Sequence, residues 1–226
     1  MTRRILYCIS FFIAIFFFCG CKKDKESDPV TDIDGNVYKT VVIGEQVWMA
    51  ENLRVTKFND GTDIKLVEDN AEWQNINAAA FSWYENDSSL FGSRYGVLYN
   101  GYAAQDKRIC PTGWRAPSVN DFLKLIETLG DTLTAGEKLK SDDELQWREP
   151  NMGANNSSHF SALPAGYRYF EGTFSSASYF TGYWTSIEIN ADTAAFVSLS
   201  YLDSKVIFSE ESKKIGFSIR CVKSAQ

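Results

Sequence analysis

Two cysteines that lie far apart, Cys110 and Cys221, constrain the fold of this chain more than any other feature of its sequence. The other three of its five cysteines lie within the first 21 residues, in a segment with the pattern of a removable leader. After export to an oxidising compartment, Cys110 and Cys221 are the thiols left to pair, so a disulfide between them is the simplest interpretation. The bond would close a loop of about 110 residues and contribute roughly 4 to 5 kcal/mol in the chain-entropy model.

A reactive thiol or a metal-binding pair is the alternative interpretation of these two cysteines. Neither has a histidine or a second cysteine at the spacing that metal sites use, so the alternative is disfavoured. A disulfide would also tie the predicted last strand of the chain to its middle.

The leader begins with two arginines, continues with an apolar run over residues 5–18 and ends in Cys-Gly-Cys at Cys21. A helix over that run spans roughly 21 Å, less than the hydrocarbon core of about 30 Å, so a secretion signal fits better than a membrane span. A small residue before the final cysteine resembles the bacterial lipobox. We therefore predict that residues 1–20 are a lipoprotein signal peptide and that Cys21 carries the lipid. An ordinary signal peptide that releases a soluble protein is the alternative.

Residues 21–30 are rich in charged side chains and have no apolar pattern, which predicts a flexible tether. Residues 31–226 contain no linker and no repeat, which predicts one folded domain. Acyl chains on Cys21 would hold that domain on the cell envelope, since each buried CH₂ contributes about 0.8 kcal/mol. Lys22 stands where an aspartate retains some bacterial lipoproteins in the inner membrane. We therefore expect attachment to the outer membrane, with exposure at the cell surface.

Local patterns predict a hairpin early in the domain and a helix in its middle. The β-branched run Val37–Ile43 and the segment Val47–Met49 flank a glycine turn, which is typical of a hairpin. Farther on, Ser118 follows a proline and can cap a helix, and Asp121 stands where it completes a capping box. The apolar residues that follow recur at helical spacing.

Helices are predicted only in the middle of the chain, because a second, shorter helix over Ala135–Lys140 is followed by strand patterns alone. Those strands are predicted over Ser161–Phe170, Tyr179–Ile189, Ala194–Leu202, Lys205–Ser209 and Gly216–Val222. Strands at both ends and helices between them favour an α+β fold.

The sequence lacks the residues of common catalytic and nucleotide-binding sites. His159 is the single histidine, and the P-loop, GxGxxG, GxSxG and CxxC motifs are absent. A histidine beside a polar turn is typical of a structural residue, so we expect no enzyme activity, no catalytic residue, no cofactor and no metal. Without the leader's two arginines, 21 basic residues stand against 29 acidic ones, a net charge of −8. Such a surface repels phosphates, which argues against a nucleic-acid partner.

Five segments carry a resemblance to a known family. They are Asp32–Tyr38, Trp48–Leu53, Cys110–Arg115, Ala162–Arg168 and Gly216–Val222. Through them the chain resembles the Fibrobacter succinogenes major paralogous domain family from about Thr31 to Lys223. That family is similar in turn to the C-type lectin-like fold, which implies antiparallel strands, two helices in the middle of the chain, long loops and a disulfide to the last strand. Formylglycine-generating activity, found in a related group, would need a reactive cysteine pair in addition.

Two features indicate where a lectin-like domain would bind its ligand. Glu149-Pro150-Asn151 resembles the calcium- and sugar-binding tripeptide of mannose-type C-type lectins, but the matching Trp-Asn-Asp is missing, so an ordinary turn is the favoured interpretation. Aromatic residues crowd residues 167–184, where flat rings could stack on sugars or anchor a protein interface, unless they are core residues. The predicted ligand-binding residues are Trp184, Tyr183, Tyr167, Tyr169 and Asn151.

The sequence thus predicts a cell-envelope lipoprotein that carries a non-enzymatic, lectin-like binding module for glycan or protein ligands. The membrane is a second partner, reached through the N-terminal lipid. The alternative is a structural or assembly subunit of a surface complex, in which the aromatic region forms a permanent interface.

Overall fold

A computed structural model describes residues 26–143 and 146–224. Over these residues the chain forms an α+β fold that is mostly antiparallel sheet, which confirms the predicted fold class. The predicted signal peptide of residues 1–20 and the predicted lipidation site Cys21 lie outside the described residues.

The described part of the chain forms fourteen strands and five α-helices. The strands are β1 (Glu26–Thr31), β2 (Val37–Ile43), β3 (Gln46–Met49), β4 (Lys65–Leu66), β5 (Ala80–Ser82), β6 (Leu98–Asn100), β7 (Trp114–Arg115), β8 (Ala165–Arg168), β9 (Phe174–Ala177), β10 (Phe180–Glu188), β11 (Thr193–Ser200), β12 (Ile207–Ser212), β13 (Gly216–Phe217) and β14 (Val222–Lys223). The helices are α1 (Asn70–Asn75), α2 (Ser93–Tyr95), α3 (Gly101–Ala104), α4 (Val119–Leu129) and α5 (Ala135–Leu139). Among the described residues, no helix has the length and apolar character that crossing a membrane requires.

Two sheets organise the strands. The smaller sheet has the order β1-β2-β3-β14-β7, and the larger runs β12-β11-β10-β8-β13-β6-β5-β4, with β9 paired to β8. The end of the chain joins them: the predicted single strand Gly216–Val222 is split into β13 in the larger sheet and β14 in the smaller. Residues 218–221 between them are fully buried, so the chain crosses the interior here instead of following one sheet.

The predicted hairpin is confirmed, and an additional strand pairs with it. β2 and β3 pair antiparallel around a turn at Gly44, whose φ of +62° favours glycine. β1 pairs with the other side of β2, so the prediction of a tether over residues 21–30 is wrong from Glu26 onward. The polar composition misled that prediction, because backbone hydrogen bonds hold an edge strand even where its side chains are solvated.

Helix α4 confirms the start signal predicted from sequence. The Ser118 hydroxyl accepts a hydrogen bond from the Asp121 backbone N–H at 3.2 Å, and the Asp121 carboxylate accepts one from the Ser118 backbone N–H at 2.7 Å. This capping box satisfies two N–H groups that a helix start would otherwise leave unpaired. The apolar face of α4 then packs on the smaller sheet, where the rings of Phe122 and Trp48 lie 5.1 Å apart.

The predicted disulfide is also confirmed. Cys110 and Cys221 are bonded, their Cα atoms are 6.1 Å apart, and both residues are fully buried. The bond joins the segment before β7 to the segment before β14, and these two strands pair with each other. The middle of the chain is therefore covalently fixed to its last strand.

Strand β10 contributes to two apolar cores. Trp184 lies in a core with Phe196 and Phe217, whereas the preceding residue, Tyr183, lies in a second core with Val197. Successive residues of a strand point to opposite faces, so the two cores lie on opposite sides of β10.

Short elements account for the remaining differences from the predicted pattern. The three helices α1, α2 and α3 precede the predicted helical region and have six residues or fewer, too few to show a periodic apolar face. The predicted strand Ser161–Phe170 is reduced to β8, because His159 and Ser161 adopt positive φ values of 58° and 55° and the chain turns before it enters the sheet.

Candidate functional site

Four aromatic rings form a continuous cluster at the surface, which we call the aromatic shelf: Tyr167, Tyr169, Phe170 and Phe180. Tyr167 lies 5.8 Å from Tyr169 and 5.7 Å from Phe180, and Tyr169 lies 5.0 Å from Phe170, measured between ring centroids. Tyr169 and Phe170 are each 39% exposed, and the other two rings are partly buried. The shelf therefore offers adjacent ring faces to solvent from the turn between β8 and β9.

The core supports the shelf from below. Phe217 is buried, and its ring centroid lies 6.1 Å from that of Tyr167 and 6.2 Å from that of Phe180. Beneath it, Trp184 lies 5.0 Å from Phe217 and donates its indole N–H to the carbonyl of Tyr99 at 2.8 Å. Packing of this kind restricts the rotamers of Tyr167 and Phe180, the two shelf rings that contact Phe217.

The prediction that Trp184 and Tyr183 contact a ligand is wrong. Trp184 is 0% exposed and Tyr183 is 1% exposed, so neither ring has a face available for stacking. Tyr183 packs edge-on against Phe160 at 6.0 Å. Because β10 is buried on both faces at these two positions, Tyr183 and Trp184 belong to the cores and not to a surface.

A buried arginine fixes the turn that carries the shelf. The guanidinium of Arg168 is fully buried and donates to the carbonyl of Gly172 at 2.8 Å, to the carbonyl of Glu68 at 2.9 Å and to Oδ1 of Asn70 at 3.1 Å. A further short hydrogen bond goes to the carbonyl of Val67. The turn after β8 is thereby tied to the segment before α1.

Two rings enclose the same guanidinium. It lies 4.4 Å from the ring centroid of Trp73 and 4.8 Å from that of Phe174, in contacts of the cation–π type. Burial lowers the pKa of Arg168 to about 10, so the side chain still carries its charge at neutral pH. A side chain at Gly172 would come within 2.5 Å of the Cα atom of Asn70, which explains why glycine occupies this closely packed turn.

The rim of the shelf is acidic. Glu171 is exposed in the turn itself, and the exposed residues Glu68 and Asp69 lie in the segment that Arg168 holds against it. Arg168, the cation that holds this turn, is buried beneath the surface, and the exposed Lys65 is paired with Glu72. An anionic ligand would therefore meet like charge at the shelf, whereas a neutral one would not.

Asn151 lies in a separate turn and does not join the shelf. Its side-chain amide donates to the carbonyl of Ser141 at 3.0 Å, its backbone N–H donates to the carbonyl of Arg148, and its φ is 38°. Glu149 is exposed. Within residues 26–143 and 146–224, no group of three or more His, Cys, Asp or Glu side chains is arranged to hold a metal ion. The hydrogen bonds of Asn151 therefore stabilise a turn, which is the interpretation that the sequence favoured.

Polar clefts lie elsewhere, around Arg115. Two clefts of about 430 and 400 Å³ both include Arg115 in their lining, and the first also includes Lys124 and Lys223. Arg115 donates to both carboxylate oxygens of Asp121, at 2.5 and 2.8 Å. Burial alone would raise the pKa of Asp121, but the hydrogen bonds from Arg115 and Ser118 lower it to about 2. The charge of Arg115 is thereby compensated within the protein.

The ligand-binding residues predicted from the sequence include two of the four shelf residues. Tyr167 and Tyr169 were predicted and share a face because they are two positions apart at the end of a strand. Phe170 and Phe180 were missing from the predicted set. Phe170 lies in a turn, where alternation says nothing about exposure, and Phe180 reaches the shelf through the parallel pairing of β10 with β8, which no local pattern reveals.

A family model described as Fibrobacter succinogenes major domain matches residues 41–223 of the chain. That range includes both cysteines of the disulfide, the capping box of α4 and all four shelf residues. No curated protein and no solved structure matches the sequence significantly.

Proposed function

The chain belongs to the Fibrobacter succinogenes major domain family, and we propose that it is a non-enzymatic binding module that is anchored to the cell envelope by a lipid on Cys21 and binds neutral glycans on its aromatic shelf. The observation that carries the proposal is the cluster of four adjacent rings, two of which are 39% exposed and lie in the turn fixed by Arg168.

Flat rings suit this task because the apolar faces of a sugar ring stack on them while its hydroxyls stay in water. Tyr167 and Phe180 rest on the buried ring of Phe217, so these two rings lose little conformational entropy when a ligand binds. The acidic rim of Glu68, Asp69 and Glu171 favours an uncharged sugar over an acidic one.

The proposal includes a C-type lectin-like fold. Its support is the disulfide from the middle of the chain to the segment before β14, together with the turn Trp114–Pro117 that leads into α4. The disulfide agrees with the resemblance found in the sequence. Fold alone does not define a ligand, so the glycan assignment depends on the shelf.

The envelope location rests on the leader and its terminal cysteine. A lipobox-like end at Cys21 accounts for an apolar run that is too short to span a bilayer. We propose attachment to the outer membrane with the domain displayed at the surface.

A structural or assembly role is the second candidate, and a different surface favours it. Leu133, Leu202 and Met152 are 62%, 57% and 49% exposed, and they lie in loops that meet. The backbone N–H of Met152 donates to the carbonyl of Tyr201 at 2.9 Å, which joins two of these loops. Exposed apolar side chains on adjoining loops are typical of protein interfaces.

A glycan array probed with the mature protein tests the first candidate. Tyr169→Ala should weaken binding to the selected glycan about tenfold or more, a loss of roughly 1.4 kcal/mol. Tyr179→Ala is the matched control, because Tyr179 is 38% exposed and lies outside the shelf. If Tyr169→Ala binds the glycan as the parent protein does and keeps a native circular dichroism spectrum, the proposal that the shelf binds glycans is refuted.

The same preparation tests the second candidate. Leu202→Asp should release the protein from an envelope complex in size-exclusion chromatography if that apolar surface is an interface. Loss of the complex together with an empty glycan array would favour assembly over recognition.

A further inference from the structure

The start of β1 shows where the chain enters the domain. Across the smaller sheet, the pairing registers place five residues in one row: Glu26, Val41, Trp48, Val222 and Arg115. Beyond this row β2 continues for two residues and turns at Gly44. Because β1 is antiparallel to β2, its N-terminal end lies on the same side of the sheet as that turn.

We call this part of the molecule the anchor end and define it by four exposed residues: Glu45, Lys124, Glu127 and Lys223. Glu45 and Lys124 line a cleft with Lys223 and a second cleft with Glu127, so the four lie together. All four side chains are exposed. The anchor end is therefore a surface made by the β2–β3 turn, the exposed face of α4 and the end of β14.

The aromatic shelf lies at the opposite end of the crossing segment. Val222 belongs to the row that contains Glu26, whereas Gly216, six residues earlier, pairs with Arg168 at the base of the shelf turn. β8 is antiparallel to β13, so Tyr169 and Phe170 continue away from the anchor end. The path from Val222 back to Gly216 and on from Arg168 to Phe170 spans at most about 26 Å if it is fully extended.

The chain between the proposed lipid and the domain is short. Five residue steps separate Cys21 from Glu26, and a fully extended chain covers at most about 18 Å in that length. A domain that faces the bilayer with its anchor end keeps Glu26 within this reach, whereas a domain that rested on its shelf would need the short segment to run back along the domain to the bilayer.

We infer that the anchor end faces the lipid surface and that the aromatic shelf points away from the membrane. The inference rests on the lipid anchor of the proposed function and adds the orientation of the domain. It assigns Glu45, Lys124, Glu127 and Lys223 to the surface next to the lipid headgroups. It also places the shelf where a soluble or cell-surface glycan can reach it.

Charge supports the same orientation. The anchor end carries two acidic and two basic exposed side chains, so its charges cancel. The shelf rim carries Glu68, Asp69 and Glu171, and the mature chain as a whole is acidic. An anionic bilayer repels the acidic end more strongly than the neutral one, over the Debye length of about 8 Å.

The test uses the acylated full-length lipoprotein in vesicles of phosphatidylethanolamine and phosphatidylglycerol that contain a lipid with a nitroxide on its headgroup. Single cysteines at Glu45→Cys and Glu171→Cys carry a fluorophore; Cys110 and Cys221 do not react because they form the disulfide. Nitroxide quenching should be at least threefold stronger at position 45 than at position 171. Glu127→Cys is a second anchor-end variant in case Glu45→Cys does not fold.

Equal quenching at the two ends, or stronger quenching at position 171, would overturn the inferred orientation while the lipid anchor stands. Mass spectrometry of the N-terminal peptide checks the anchor separately. If Cys21 carries no lipid, the anchor is refuted and the orientation falls with it. Glycan binding at the shelf is not measured in this assay, so its failure is distinguishable from both results.

Discussion

At the anchor end Arg115 is paired with a carboxylate and 41% of its side chain is exposed, whereas at the shelf Arg168 is fully buried and its hydrogen bonds go to carbonyl and amide oxygens. Water can replace many of the hydrogen bonds that Asp121 accepts from Arg115. It cannot reach Arg168, so each neutral acceptor there has to be supplied by the fold. We therefore expect the partly exposed ion pair of Arg115 and Asp121 to contribute less to stability than the buried hydrogen bonds of Arg168.

The largest expected effect is at the buried arginine. Arg168→Lys keeps the charge but cannot reach four acceptors with one ammonium, so we expect a loss of about 3 to 5 kcal/mol in the free energy of unfolding. Urea denaturation measures it. The control is Arg148→Lys, an exposed arginine over the ring of Tyr179, which should change stability by less than about 0.5 kcal/mol. A loss below about 1 kcal/mol at Arg168 would break the comparison.

A smaller, pH-dependent effect is expected at the carboxylate of the anchor end. The pKa of Asp121 is lowered from 3.8 to about 2, so its ionised form stabilises the fold fully above about pH 4 and this stability is lost as the pH falls toward 2. The shift corresponds to about 2 kcal/mol. Asp121→Asn should lower stability by that amount at pH 7 and flatten its pH dependence between pH 4 and 2. Parallel curves for the variant and the parent protein would contradict this assignment.

A loss of about 1 kcal/mol is expected when the helix cap is removed. Ser118→Ala deletes the acceptor for the Asp121 backbone N–H and one donor to its carboxylate, but leaves Arg115 in place. Unfolding in urea gives the value. Thr128→Ala, an exposed change on the same helix, is the control. The result separates the contribution of the cap from that of the ion pair.

The smallest effect is expected from the conservative change at the exposed arginine. Arg115→Lys replaces a bidentate pair by a single one at a half-exposed site, so the loss should stay below about 1 kcal/mol. The same denaturation experiment, run beside Arg168→Lys, compares one substitution in two environments. Equal losses at both sites would remove the distinction between the two ends.

Local signals predicted the parts of the fold that depend on a few neighbouring residues. The capping box of Ser118 and Asp121 is complete within four positions, and the hairpin around Gly44 needs only its turn and two short runs. The disulfide could be predicted for a different reason: after the predicted removal of the leader and lipidation of Cys21, two cysteines are left to pair. These features needed no knowledge of distant contacts.

The candidate site was predicted less well because exposure depends on what packs from elsewhere. Trp184 and Tyr169 have similar sequence surroundings, yet β10 is covered on both faces and the turn after β8 is not. The importance of Arg168 depends on acceptors about 100 positions away in the chain. β1 was missed because its side chains are polar, although its backbone is paired.

The alternation of Tyr183 and Trp184 across β10 has a consequence for cooperativity. β10 contributes side chains to both cores. We therefore expect that neither core can unfold while the other keeps its native packing. Heating in a calorimeter should therefore give a single transition whose van't Hoff and calorimetric enthalpies agree, even though the described residues form two sheets and a core lies on each side of β10.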